Sequence, residues 1–238
     1  MVRLESSTAK MLSGYLGTAL LVAGFTQATA GVVCDSRKFD AASDDISFFG
    51  EGPTMAIEAT RLKAKCASET QSLKVVQDYA DRCVQGTSKG ILQIFIDGAA
   101  TNIEKHCMDD RYKSKFVRLT PCLNRNAGAG IHKCNRDFAG MIRSIALKPT
   151  KIRIPLSCCS MNEYMNCVLK HAAKCGPETK EFASSIIEGY AGDLLDTVCV
   201  KYKPGSKECR SLPKVTPSTS LRLKSVLFHL SEAFNGRP

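Results

Sequence analysis

Apolar residues recur at helical spacing along most of the chain. In residues 159–175, Tyr164, Cys167, Val168, His171 and Cys175 fall at i, i+3, i+4, i+7 and i+11, which is one face of a helix. Ser160 and Glu163 read as a capping box in front of it. Gly176-Pro177 read as its stop, because glycine tolerates a left-handed cap and proline cannot continue the helix. The next helix is predicted over 179–200, with Phe182, Ile186, Tyr190, Leu194 and Val198 inward. Upstream, Leu73, Val76, Ala80 and Cys83 make one stripe, and Ile91, Phe95, Ala99, Ile103 and Cys107 make another. These predict antiparallel helices over 66–83 and 88–107. Cys134, Phe138, Met141 and Ile145 mark a further helix between the two pairs. Leu223, Val226, Leu227, Leu230 and Phe234 mark an amphipathic helix over 220–235. Residues 31–52 carry little pattern and read as loop. Residues 148–157, with Pro149 and Pro155, read as an extended, exposed loop. No run alternates apolar and polar positions long enough to demand a strand, so the fold class is all-α.

The first 30 residues have the anatomy of a secretory signal. Arg3 and Lys10 precede an apolar stretch from Tyr15 to Phe25, and Ala28-Thr29-Ala30 places small residues where signal peptidase reads them. Cleavage there predicts a mature chain that starts at Gly31, with 208 residues and a net charge of +9. The apolar stretch is shorter than the roughly 20 residues that span a bilayer, and no later segment approaches that length. The compartment expected is therefore extracellular.

All 12 cysteines (Cys34, Cys66, Cys83, Cys107, Cys122, Cys134, Cys158, Cys159, Cys167, Cys175, Cys199 and Cys209) follow the cleavage site. An even count in a secreted chain predicts a disulfide framework. There is no C-x2-C, and the four histidines (106, 132, 171 and 229) are scattered, so no metal site or cofactor is expected. The spacings Cys66–Cys83–Cys107 and Cys158–Cys175–Cys199 are the same, at an offset of 92. Ser68, Val76, Ala80, Thr87, Ile94 and Ala99 also match residues 92 positions on. A fixed-period match of this kind reads as an internal duplication of a helical unit. Cys122 with Cys209, and Cys34 with Cys134, are the looser correspondences beyond it. The organisation expected is a signal peptide (1–30), a first cysteine-rich module (31–122), a basic connecting segment (123–157), a second module (158–209), then a linker and C-terminal helix (210–238). Antiparallel helices of roughly 25–28 Å put the start of one beside the end of the next. Cys66 is therefore expected to pair with Cys107, and Cys158 with Cys199. Cys159 and Cys167 lie about 12 Å apart along one helix, too far to pair with each other.

The stretch 158–209, with its C-C-x7-C-x7-C-G and closing C-x9-C, resembles a group of secreted, cysteine-rich helical proteins of arthropods, most of them uncharacterised. The chain is also loosely similar to insect haemolymph glycoproteins of this size. It departs from them in having no N-x-S/T sequon. The resemblance implies an extracellular, helical protein and brings no catalytic residues with it.

Catalytic constellations fare poorly. Secreted phospholipases place a histidine base after a Cys-Cys pair; here Ser160-Met161-Asn162-Glu163 stands in that place, without the histidine. His171 has no acid at helical spacing to orient it and reads as a core or boundary residue. No hydrolase, metalloprotease or nucleotide-binding motif is present, so the chain is expected not to be an enzyme, with a hydrolase as the remote alternative. Charge says more. Residues 111–153 hold Arg111, Lys113, Lys115, Arg118, Arg125, Lys133, Arg136, Arg143, Lys148, Lys151 and Arg153 against one acid, Asp137. A concentrated basic field attracts anionic partners. Outside a cell these are glycosaminoglycans, acidic proteins or anionic lipid surfaces, with nucleic acid not expected. The alternative reading is a carrier whose apolar helix faces line a cavity for a small hydrophobic ligand.

Overall fold

The computed structural model describes residues 33–234, apart from the Ala59 side chain. The signal peptide and the Gly31 start lie outside the described residues. Within them every regular element is helical, and none is long and apolar enough to cross a membrane. The longer helices are α1 (Ser36–Asp45), α2 (Ala59–Cys83), α3 (Gly86–Met108), α4 (Asp110–Cys122), α5 (Gly128–Ile145), α6 (Thr150–Ala172) and α7 (Pro177–Thr197). A short α8 (Lys207–Arg210) and the C-terminal α9 (Val226–Ala233) follow. A π-helical turn, Leu123–Ala127, joins α4 to α5 just after Pro121, which interrupts the helical hydrogen-bond ladder.

The predicted stripes are the core. Val76 and Ala80 of α2, Ile91, Phe95, Ala99 and Ile103 of α3, and Phe138 and Ile145 of α5 are buried, as are Phe182, Ile186 and Leu194 of α7. Gly176 takes a φ of +95° and opens α7 with Pro177 at its first position. Val198 departs from its expected inward position: it follows the end of α7 and is 39% exposed.

All twelve cysteines are bonded, as Cys34–Cys83, Cys66–Cys107, Cys122–Cys175, Cys134–Cys167, Cys158–Cys199 and Cys159–Cys209. The two cross-links expected from helix lengths are present, each spanning 41 residues. Cys159 and Cys167 take separate partners, as expected. The remaining correspondence is corrected. Cys83 and Cys175, matched at the offset of 92, bond to Cys34 and Cys122, so in its bonding Cys34 is placed like Cys122 and not like Cys134. Cys134–Cys167 and Cys159–Cys209 have no counterpart in the first half.

Four local expectations are overturned. Residues 31–52 are not all loop: Asp35 accepts hydrogen bonds from the Arg37 and Lys38 backbone N–H groups at 3.0 Å and caps α1. Residues 148–157 are not extended: α6 begins right after Pro149, and Pro155 lies in its second turn, where it removes a single backbone donor. Ser160 is consequently not a cap but a buried mid-helix residue. The last helix is shorter than expected, starting at a Ser225 cap whose Oγ accepts from the Phe228 N–H at 3.2 Å.

The halves meet at the crossing of α3 and α7. A methyl group on Gly98 would overlap the Gly189 carbonyl oxygen and the Tyr190 Cα, so only glycine allows the backbones this close. The buried Asn102 side chain donates to the Ile186 carbonyl at 3.0 Å beside it. Gly98→Ala is therefore expected to destabilise the protein by about 2 kcal/mol through overpacking, measured as a lower midpoint in guanidinium unfolding with its slope unchanged.

Candidate functional site

The eleven cations of the basic segment do not gather on one surface. They are strung along α4, α5 and the start of α6, and α5 alone is about 27 Å long. Several are committed within the fold. Arg118 forks onto Glu178, with N–O distances of 2.8 and 2.5 Å. Lys113 pairs with Asp110, and Lys133 with Asp137. Lys115 sits over the Phe182 ring. Arg136 is a structural rivet. It bonds both carboxylate oxygens of Asp44, at 3.1 and 2.8 Å, and donates to the Gly50 and Lys224 carbonyls. Burial raises the Asp44 pKa, and Arg136 pulls it back only in part. Arg111, Arg125 and Lys151 are exposed.

At the corner between α5 and α6 the arrangement differs. Arg143 from α5, Arg153 from α6 and Arg222 from the stretch before α9 line one groove of about 750 Å³. Three separate pieces of chain meet there because Asp40 of α1 accepts from the Lys224 and Ser225 backbone N–H groups at 2.9 and 2.7 Å. That contact pins residues 220–225 across the end of the bundle. Arg153 donates to the Lys148 and Ala233 carbonyls at 2.7 and 3.0 Å, which fixes its position. Arg143 lies 3.6 Å from Glu232, and Arg222 is exposed with no ion-pair partner among the described residues.

Apolar and small polar side chains share the rest of the groove, with Ser36, Ser220 and Ser231 among its lining. Tyr79, Leu221, Leu223 and Phe228 line it, and Leu147 at its margin is 74% exposed. His229 lies buried at the wall, where its Nε2 donates to the Leu223 carbonyl at 3.0 Å. Its Nδ1 is then an acceptor, buried, without a hydrogen bond, and 4.0 Å from Glu232. Burial holds the His229 pKa below the ordinary histidine range, so the ring is neutral.

Arg153 thus bears load as well as charge, and residues 148–153 are not a freely replaceable loop. Arg153→Glu sets a carboxylate against two carbonyl oxygens and is expected to cost about 2 kcal/mol. Lys151→Glu, at an exposed position, should stay within about 0.5 kcal/mol of the parent. Thermal melts of the two variants side by side check this.

Two other places were candidates for chemistry. Lys65 donates to the Asp45 carboxylate and carbonyl and to Glu51, and lies 3.9 Å from Glu69, which in turn meets His106 at 2.6 Å. Burial raises the Asp45 pKa, but hydrogen bonds from Lys65, Ser72 and Ser68 outweigh it and hold the carboxyl below its usual range. Every group in this chain is engaged by another, which makes it a clamp between α1, α2 and α3. The interior of the protein holds a cavity of about 60 Å³ beside Phe95, Phe138, Met161 and Tyr190. Ligand pockets run to roughly 300–1,000 Å³, so that cavity has room for a few waters at most. His171, expected at a boundary, is partly exposed, with its Nδ1 buried and unpaired.

Sequence reasoning found Arg143 and Arg153 but missed Arg222, Leu147 and His229. The only local signal was the Leu221-Arg222-Leu223 alternation, which places one cation between two apolar residues. No family model, curated protein or solved structure matches the chain.

Proposed function

We propose that this is a secreted, non-enzymatic binding protein that takes an anionic partner in the groove between the α5–α6 corner and α9. The observation that carries the reading is the convergence of Arg143 of α5, Arg153 of α6 and the sequence-distant Arg222 on one groove. Six disulfides with no free thiol are compatible with life in an oxidising, extracellular medium. With Glu232 set against Arg143, the groove keeps a net charge of about +2, which concentrates anions there before any specific contact forms.

The site is tested by mapping. Protein labelled with ¹⁵N is titrated with inorganic phosphate, dodecanoate and a heparin tetrasaccharide. The expected result is shifted arginine side-chain signals for Arg143, Arg153 and Arg222, together with the amides of Leu147 and Leu223. Shifts confined to Arg111, Lys115 and Arg125, on α4 and the turn before α5, would overturn the assignment.

A further inference from the structure

The anion that suits this groove is a compact one with an apolar body. Accepting the groove as the anion site, we infer that its ligand is a long-chain carboxylate, a free amphiphile with one charged head, rather than a polyanion. Three observations converge. A polyanion needs a track of exposed cations, and here the basic residues are strung over α4, α5 and the start of α6, with several paired to Asp44, Asp110, Asp137 and Glu178. With Arg143 set against Glu232, Arg222 stands exposed to receive a carboxylate head and Arg153 is fixed in the same groove. The lining also carries apolar surface, from Tyr79, Leu221 and Leu147, among its serines, and Leu147 is an exposed leucine that a bound chain would cover. The volume of about 750 Å³ lies within the range of small-molecule sites.

Chain and head contribute separately, and the difference can be measured. Full burial of a methylene strengthens binding about fourfold; a groove open on one side should give about half of that free energy, or about twofold per methylene. Calorimetric titration of the purified, disulfide-bonded protein with carboxylates of 8, 10, 12 and 14 carbons should show that progression. The methyl ester of the 12-carbon acid should bind at least tenfold more weakly, because Arg153 and Arg222 lose the charge they meet. Arg222→Gln should weaken the 12-carbon acid severalfold and leave the ester unaffected. It should also leave the melting temperature unchanged, since Arg222 is exposed. Leu147→Glu should weaken the longer acids most.

A flat chain-length series, with tetrasaccharide binding that Arg222→Gln weakens, sinks the carboxylate assignment while the anion groove stands. The same holds if only vesicles carrying phosphatidylserine bind in an Arg222-dependent way. Binding of none of these probes in a manner sensitive to Arg222→Gln removes the groove reading as well.

Discussion

Arg136→Met is expected to lower stability by about 3 kcal/mol, the low end for breaking a buried ion pair by removing one partner, since this pair is part-buried. The guanidinium joins α5 to Asp44 at the end of α1, to the loop after it through Gly50, and to the stretch before α9 through Lys224. Methionine keeps much of the volume, so the loss is electrostatic. It leaves the Asp44 carboxylate, already raised in pKa by burial, without its counter-charge. Two consequences separate this account from a simple packing defect. Asp44→Asn in the Arg136→Met background should recover part of the loss. The single variant should also lose less at acid pH, where Asp44 takes up a proton. The sign follows from the direction of the shift: a carboxyl whose folded pKa is raised favours the protonated folded state, so that relief is present at low pH and lost as pH rises through the folded pKa. Urea midpoints at pH 4 and pH 7 for the parent and the two variants make the comparison.

Removing Cys158–Cys199 by a double change to alanine is expected to cost about 4 kcal/mol, from the loop-closure entropy that a 41-residue cross-link takes from the unfolded chain. Cys66–Cys107 closes a loop of the same size and should cost about the same. The two bridges join corresponding ends of helix pairs, α2 with α3 and α6 with α7. Similar losses for the two double variants, measured by guanidinium unfolding under non-reducing conditions, are the expected outcome. A loss below 1 kcal/mol for either would show that packing alone already orders that helix pair.

These two predictions rest on features that were differently legible in the sequence. Helices α2, α3 and α7 announce themselves by long apolar stripes, and their lengths fix which cysteines can meet. Helix α1 was hidden because it contributes few apolar residues, chiefly Phe39 and Ala42, among aspartates and serines; it is held by its Asp35 cap and by contacts distant in sequence. The first two turns of α6 were hidden by Pro149 and Pro155, which read as breakers although the first lies just outside the helix and the second costs only one backbone bond. Charge density along the sequence identified a basic segment but not its geometry. Arg136, central in that segment, faces inward to Asp44, while Arg222, far outside it, completes the groove. The sequence holds no local sign that Asp40 would draw Lys224 and Ser225 across the end of the bundle. Sites assembled by such contacts become visible only with the fold.

The central claim is that anion binding belongs to the groove and not to the basic segment as a whole. The measurement that tests it is the dissociation constant of one anionic probe, dodecanoate, for two variants of equal charge change. Arg143→Gln with Arg222→Gln removes two cations at the groove; Arg111→Gln with Arg125→Gln removes two outside it, on α4 and the turn before α5. The account predicts at least tenfold weaker binding for the first pair and less than twofold for the second, at 0.15 M salt, where charges more than about 8 Å from the site are screened. Equal weakening by both pairs, or a larger effect from the distal one, would contradict it.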